Sequence, residues 1–158
     1  PEPIIPPAAA RIMSLRDGSA KMSKSDPSDL SRINLTDDAD TVMQKIRKAK
    51  SDADPLPGEA AGLTGRPEAA NLVGIFAALS NQSQDAVCAR FAGQGFGAFK
   101  PALGELLVET LRPIRDRFVA LKDDHAAIDA ALVGGAARAS ALARPTLDAA
   151  YAALGLCR

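Results

Sequence analysis

Alanine dominates the second half of this sequence, and that bias restricts the chain to helical folds more than any other feature. Aromatic residues make up only 4% of the chain, and tryptophan is absent. Alanine has the best intrinsic helix propensity, because ordering it costs no side-chain entropy. The core must then be built from leucine, isoleucine, valine and five phenylalanines. We therefore predict a mainly α-helical fold.

The apolar periodicity and the breaker residues predict a bundle of about five helices. The predicted helical segments are Asp37–Lys50, Pro67–Leu79, Gln84–Ala92, Ala98–Leu121, Asp124–Leu132 and Ala136–Leu154. Thr36 is the predicted N-cap of the first helix, and Pro67 suits the first helical position of the second. Gly134 and Gly135 are expected to separate the last two segments, and Pro113 predicts a kink in the longest.

The segment before the helices has a different pattern. Arg11–Leu15 is a short run with a turn signal after it, and we predict a short strand there, the last of a sheet. Residues 19–27 (SAKMSKSDP) follow neither a helical nor a strand period, which predicts a loop. We place a domain boundary between residues 35 and 36, with the helical domain at 36–158.

Length and charge exclude several classes of protein. The chain has 158 residues with 19 Lys and Arg against 19 Asp and Glu, so it is not a strongly basic nucleic-acid-binding chain. No apolar run approaches the ~18–20 residues of a spanning helix. Cys88 and Cys157 cannot frame a disulfide-rich domain, so a reducing compartment is expected. With one histidine they cannot complete a zinc site. The chain begins with Pro1 rather than Met, and we expect it to be part of a longer protein.

One loop carries a candidate chemistry, Lys21-Met22-Ser23-Lys24-Ser25. Two lysines three positions apart can place two ammonium groups around a polyphosphate, and the two serine hydroxyls can add hydrogen bonds. Gly18 and Pro27 at its edges suit a loop that moves as a unit. Such a loop could stabilise the charge on a leaving pyrophosphate. Composition alone favours the alternative, a solvated basic surface loop.

The ordered string, in its context, resembles a known family. Lys-Met-Ser-Lys-Ser is the second signature of class I aminoacyl-tRNA synthetases. The surrounding ARIMSLRDGSAKMSKSDPSDLSRINLTDDADTVMQKIRKAKSD is similar to the bacterial-type tryptophanyl-tRNA synthetases. The segments RPEAANLVGIFAAL, FGAFKPALGELLVETLRPIRDRF and ARPTLDAAYAALG resemble the C-terminal helices of the same family. Residues 1–35 would then be the C-terminal edge of a Rossmann-type α/β catalytic domain, and 36–158 an anticodon-binding helical domain.

The resemblance implies a role for each residue of the loop. Lys21 and Lys24 match the lysines that hold the phosphates of ATP, with Lys24 the first choice for contact with the transition state. Ser23 and Ser25 match hydroxyl positions of the same loop. Met22 matches a residue that flanks the adenine, and Ile12 one whose backbone contacts the adenine. From the spacing alone, packing remains the alternative role of Ile12 and Met22.

The resemblance also implies partners. It implies ATP as a substrate with Mg²⁺, tryptophan, tRNA(Trp), a homodimeric parent in the cytoplasm, and no metal site in this part of the protein. The family's first signature, a His-x-Gly-His motif, is absent, so we expect the chain alone to be inactive. The dimer contact of the family is expected mostly in the rest of the catalytic domain, so we also expect the chain alone to be monomeric. The alternative hypothesis is a stand-alone helical RNA-binding module without catalytic activity.

Other candidate residues have simpler interpretations. The basic residues of the helices can contact RNA phosphates, or they can lie on solvated faces and at helix C-termini: Lys45, Arg47, Lys48, Lys50, Arg112, Arg115, Arg117 and Lys122. Three aromatic residues could stack on anticodon bases but suit a core better: Phe96, Phe99 and Tyr151. We interpret Gly93–Gly97 as a helix connector, His125 as a surface residue, and Asp17 and Asp26 as turn or cap residues.

Overall fold

The computed structural model describes residues 2–3 and 10–156, and this part of the chain is mainly helical. The helices are α1 (Ala39–Lys48), α2 (Pro67–Ser80), α3 (Gln84–Arg90), α4 (Phe96–Asp123) and α5 (His125–Leu154). Two short 3-10 helices lie at Asp29–Ser31 and Ala60–Leu63. The prediction of a mainly α fold is confirmed.

The predicted strand over Arg11–Leu15 is wrong as an element. Its hydrogen bonds go to three separate segments rather than to one neighbouring strand: the Ser14 N–H to the Ala20 carbonyl, the Leu15 N–H to the Ser31 carbonyl, and the Lys50 N–H to the Leu15 carbonyl. What forms is one isolated antiparallel bridge, between Met13 and Lys21. The predicted loop after it is present.

Helix α1 begins at Ala39, and its N-cap is Asp38 rather than the predicted Thr36. The Asp38 carboxylate accepts a hydrogen bond at 2.8 Å from the backbone N–H three residues on, which satisfies one of the unpaired donors of the first turn. The predicted start at Asp37 is wrong. The Asp37 carboxylate instead accepts a 2.6 Å hydrogen bond from Lys45, and the residue lies before the helix.

Helix α2 matches its prediction closely. Pro67 takes the first helical position, where its missing N–H costs nothing. The helix ends at Ser80, one residue later than predicted, and Asn81 follows in the left-handed conformation with φ 54°. Local sequence signals therefore fix the start of α2 and place its end within one residue.

Phenylalanine rings join α2, the end of α3 and the start of α4. The ring centroids of Phe76 and Phe91 are 5.4 Å apart, and those of Phe91 and Phe99 are 5.0 Å apart, both edge to face. Phe99 is completely buried. Fully burying one such side chain contributes about 1.5–3 kcal/mol, so this cluster is a main source of stability. The rest of the buried apolar set includes Leu15, Val42, Ile46, Leu56, Leu63, Leu72, Val73, Val87 and Leu103.

Helix α4 begins two residues earlier than predicted and is 28 residues long. Its buried residues end at Leu107. Apolar residues continue at helical spacing beyond that point, but Ile114 and Phe118 are 48% and 43% exposed. The periodicity therefore identifies the helix, whereas only its first half contributes buried side chains. The kink at Pro113 stays a prediction.

The end of the chain forms one helix, not the two predicted. Helix α5 runs for 30 residues through Gly134, Gly135 and Pro145, and none of its residues is buried. Neither glycine has a positive φ, so both keep a helical backbone among strong helix-forming alanines. The glycine that ends the helix is Gly155, which has φ 67°.

The chain divides into two compact units, residues 1–115 and 116–158. The compact units divide at another point than residues 35 and 36, and the functional boundary predicted there stays a prediction. The expectation that no apolar stretch is long enough to span a membrane does not hold for α5. By length and composition alone this helix could cross a membrane, with a mean hydropathy of 1.3 in its most apolar window.

Candidate nucleotide-binding loop

A short antiparallel ribbon leads into the loop that contains Lys21 and Lys24. The Ser14 N–H donates to the Ala20 carbonyl at 2.8 Å, and the Met22 N–H donates to the Ile12 carbonyl at 3.0 Å. At the turn, the Ser19 hydroxyl donates to Asp17 at 2.6 Å. This hydrogen bond lowers the pKa of the Asp17 carboxyl. Asp17 is thus a turn residue, as its sequence position suggested.

The loop presents its charged and hydroxyl-bearing side chains to solvent. Lys21, Ser23, Lys24 and Ser25 are all exposed. The Ser23 hydroxyl accepts a hydrogen bond from the Ser25 N–H at 3.2 Å, which turns the chain at the loop's tip. Within the part of the chain that the structure describes, no ion pair involves either lysine. Both ammonium groups are therefore available to an anionic ligand.

The two predicted adenine neighbours, Ile12 and Met22, lie next to each other on the ribbon. Both are partly buried and pack against the hydrophobic core. The backbone carbonyl of Ile12 is already used by Met22. Packing therefore accounts for both side chains, and their roles toward adenine stay predictions.

Behind the loop, a network of charges fixes the chain where it returns to α1. Lys45 of α1 lies 2.7 Å from Asp29 and 2.6 Å from Asp37. Arg32 forms an ion pair with Asp29 at 3.1 Å and donates to the Asp26 carbonyl at 3.0 Å. The network ties the exit of the loop, residues 26–34, to the first long helix.

Lys45 is the buried centre of this network, with only 1% of its surface exposed. Burial alone would lower its pKa, but the hydrogen bonds to Asp29 and Asp37 outweigh burial, and the pKa is raised. The hydrogen bond from Lys45 likewise lowers the pKa of Asp29. The sequence had suggested a solvated lysine near the end of a helix. No local pattern could have revealed its partners, since they lie 8 and 16 residues earlier.

The other candidate residues do not converge on the loop. Phe96 and Phe99 are buried in the aromatic cluster, which confirms their interpretation as core residues. Tyr151 is partly buried and lies in the second unit. His125 is exposed at the first position of α5, as expected, and Gly93–Gly97 connects α3 to α4.

The basic residues of α4 are divided between the two units. Arg112 is exposed and Arg115 is partly buried in the first unit, while Arg117 and Lys122 are exposed in the second. Contact with RNA phosphates stays a prediction for all four.

Cys88 is a buried free thiol, and burial raises its pKa. Cys157 lies outside the described residues. Among those that are described, no group of three or more His, Cys, Asp or Glu side chains could hold a metal ion.

The chain is similar along nearly its whole length to bacterial proteins named tryptophan–tRNA ligase. It is 57% identical to the one from Mesorhizobium japonicum over 98% of this chain, and 59% identical to the one from Rhizobium meliloti over 92%. The matched regions are only 44% and 41% of those relatives, so the chain spans less than half of their length.

A solved structure and a family description agree with this similarity. The crystal structure of tryptophanyl-tRNA synthetase from Mycoplasma pneumoniae matches with a TM-score of 0.69 and 25% identity, over 96% of this chain and 45% of that one. The sequence model of the family described as tRNA synthetases class I (W and Y) matches residues 1–112. That range contains the ribbon, the loop and the Lys45 network. The chain therefore belongs to the class I tRNA synthetase family of the tryptophan and tyrosine enzymes.

Proposed function

We propose that this chain supplies the C-terminal part of a cytoplasmic tryptophan–tRNA ligase, including the loop that holds the phosphates of ATP. The observation that carries the proposal is the exposed pair Lys21 and Lys24 on a loop anchored at both ends. The 57% identity to a relative named tryptophan–tRNA ligase supports tryptophan as the amino acid. The loop offers two ammonium groups, two hydroxyls and no carboxylate at its tip, which is the composition a polyphosphate requires.

The reaction proceeds in two steps. In the first, the tryptophan carboxylate attacks the α-phosphorus of ATP, so that tryptophanyl-adenylate forms and pyrophosphate leaves. Lys24 and Lys21 would contact the β- and γ-phosphates, where negative charge accumulates as the bond to the α-phosphate breaks. A cation held next to the phosphates where this negative charge develops stabilises the transition state more than the ground state. ATP would enter this step as a substrate together with Mg²⁺.

In the second step, a ribose hydroxyl at the 3′ end of tRNA(Trp) attacks the adenylate carbonyl, and AMP leaves. The helices after residue 36 would contact the anticodon arm, through basic residues that hold backbone phosphates. The complete ligase is proposed to be a homodimer. The chain alone contains a single histidine and therefore no His-x-Gly-His signature, and we expect it to be inactive. We expect it to be monomeric because the dimer contact is expected mostly in the rest of the catalytic domain.

The test is tryptophan-dependent exchange between ATP and pyrophosphate, measured on the complete ligase that contains this chain. Lys24→Ala should lower the exchange rate by about 10²–10³-fold, as expected when one transition-state contact is removed. The KM for tryptophan should change less than about twofold, because Lys24 does not contact the amino acid. Lys122→Ala removes an equal charge from the last turn of α4 and should leave the rate unchanged.

Three outcomes would contradict the proposal. Equal losses of exchange rate and of tryptophan affinity in Lys24→Ala would show that the loop does not act on phosphates alone. Exchange by the 158-residue chain alone would show that no other part of the ligase is needed. No exchange by the complete protein, with tyrosine and other amino acids also tried, would favour a helical RNA-binding module.

A further inference from the structure

The side chain of Asn71, on α2, holds the backbone of the ribbon that leads into the loop. Its Oδ1 accepts a hydrogen bond from the Met13 N–H at 3.0 Å, and its Nδ2 donates to the Met13 carbonyl at 2.9 Å. Asn71 is only 9% exposed and lies 58 residues away from Met13 in the sequence. A buried amide is costly to leave unpaired, so this pair of bonds fixes the local geometry strongly.

The two hydrogen bonds complete the ribbon on its outer edge. Met13 and Lys21 lie opposite each other in the bridge as a non-hydrogen-bonded pair, because the backbone hydrogen bonds join the residues on either side of them. In such a pair, the N–H and carbonyl of Met13 point away from the partner strand. Asn71 occupies that outer edge and pairs with both groups, as a third strand would. The entry to the loop is thus held between Asn71 on one side and residues 20–22 on the other.

Helix α2 touches the same ribbon at a second point, the turn at Gly18. A Cβ atom added at Gly18 would lie 2.6 Å from the Glu68 nitrogen and 2.6 Å from the Pro67 carbonyl carbon. Only glycine permits this close approach of the turn to the N-terminus of α2. The Glu68 carboxylate also forms an ion pair with the Lys50 ammonium group at 2.8 Å. The backbone N–H of the same Lys50 donates to the Leu15 carbonyl, next to the ribbon. The ribbon therefore has a rigid support on α2.

We infer that Asn71 is a positioning residue for ATP, acting through the Met13 backbone to set where Lys21 and Lys24 meet the phosphates. The inference rests on the proposed function of the loop. The register of the ribbon decides the direction in which Lys21 leaves it, and Lys24 follows three residues later. Removing the Asn71 amide frees the outer edge of the ribbon at Met13, so that the position of the loop is held less tightly by its remaining contacts.

The first experiment measures amide hydrogen exchange in the 158-residue chain by NMR. In Asn71→Ala, the amides of Met13, Ser14 and Met22 should exchange about tenfold faster or more, because the bonds that order the ribbon are weakened. Asn71→Asp has the same shape and keeps the acceptor, but it replaces the donor by a charge beside the Met13 carbonyl. It should also speed the hydrogen exchange of the same amides. Because its side chain has nearly the same volume, it provides a second variant should Asn71→Ala fail to fold.

The second experiment measures ATP–pyrophosphate exchange in the complete ligase. Asn71→Ala should lower kcat/KM for ATP in the exchange reaction by about tenfold, through a higher KM for ATP, a lower exchange rate or both. The KM for tryptophan should stay within about twofold of its wild-type value. Phe76→Leu is the matched control, because Phe76 lies on the same helix and its ring packs against those of Phe91 and Phe99. It should lower stability and leave the KM for ATP unchanged.

The outcomes separate the inference from the proposed function. If the wild-type ligase is active but Asn71→Ala changes neither the protection of Met13 nor the kinetics with ATP, the inference is wrong. If Asn71→Ala and Phe76→Leu reduce activity in the same way, Asn71 has only a structural role, and the inference is again overturned. A wild-type ligase without tryptophan-dependent exchange overturns the proposed function itself, and with it the assignment to ATP.

Discussion

At the scale of single residues, paired polar side chains hold together the parts of the chain that have no regular structure. Arg66 lies at the end of the long segment between α1 and α2, and its guanidinium reaches back to Asp52 with two hydrogen bonds, of 2.9 and 2.5 Å. It also donates to the backbone carbonyls of Asp54 and Pro55. A bidentate arginine–carboxylate pair is geometrically specific. The segment, which the sequence presents only as a series of breakers, is thus closed by one arginine.

This pair predicts a dependence of stability on pH. The hydrogen bond from Arg66 lowers the pKa of Asp52 below its ordinary value of 3.8. The folded state therefore favours the carboxylate, and the resulting stability is present above about pH 4 and is lost as the pH falls through the lowered pKa. In urea titrations between about pH 6 and pH 3, Asp52→Asn should lower the free energy of unfolding more at the upper end. The exposed Glu105→Gln serves as control, and an equal effect of Asp52→Asn at both ends would contradict the prediction.

At the scale of elements, the sequence predicts structure well where the signals are local. Pro67 and the apolar run after it suffice to place α2, and the charges of α1 place that helix within two residues at each end. The prediction of a strand at Arg11–Leu15 was wrong because the hydrogen-bond partners of this run lie in three different segments. The same limit applies to the site. The loop could be found from Lys21 and Lys24, but its supports, Lys45 and Asn71, depend on contacts between residues far apart in sequence.

The continuity of α5 gives a prediction about helix propensity. Gly134 and Gly135 have helical backbones, and a Cβ atom added at either would meet no atom closer than 3.8 Å. Replacing each by alanine should therefore stabilise α5 by about 1 kcal/mol. Circular dichroism at 222 nm during heating should show that α5 unfolds at a higher transition temperature. Gly155→Ala is the opposite case, since φ 67° disfavours a Cβ, and it should lower the helix content. A loss of helix in Gly134→Ala or Gly135→Ala would mean that α5 is broken at the glycines.

At the scale of the whole molecule, stability is concentrated in the first unit. Every buried apolar side chain among the described residues lies at or before Leu107, and the unit ends at Arg115. The family match also ends in this region, at residue 112. In the second unit, large apolar side chains such as Leu132, Val133 and Leu142 are 65–82% exposed. The ribbon, the loop, Lys45 and Asn71 all belong to the first unit, so the site and the core share the same 115 residues.

This concentration predicts that the first unit folds without the second. A chain ending at Arg115 keeps the whole buried set, since its last member is Leu107. Hydrophobic burial is the main favourable term in folding, and we expect the shortened chain to unfold cooperatively in urea, with a midpoint close to that of residues 1–158. The ribbon amides, Met13 and Met22 among them, should keep their protection from hydrogen exchange. As a matched comparison, a chain ending at Asn81 loses α3 and α4 and with them Phe91 and Phe99, and it should not fold. Loss of the cooperative transition in the chain that ends at Arg115 would show that residues 116–158 contribute to the core despite their exposure.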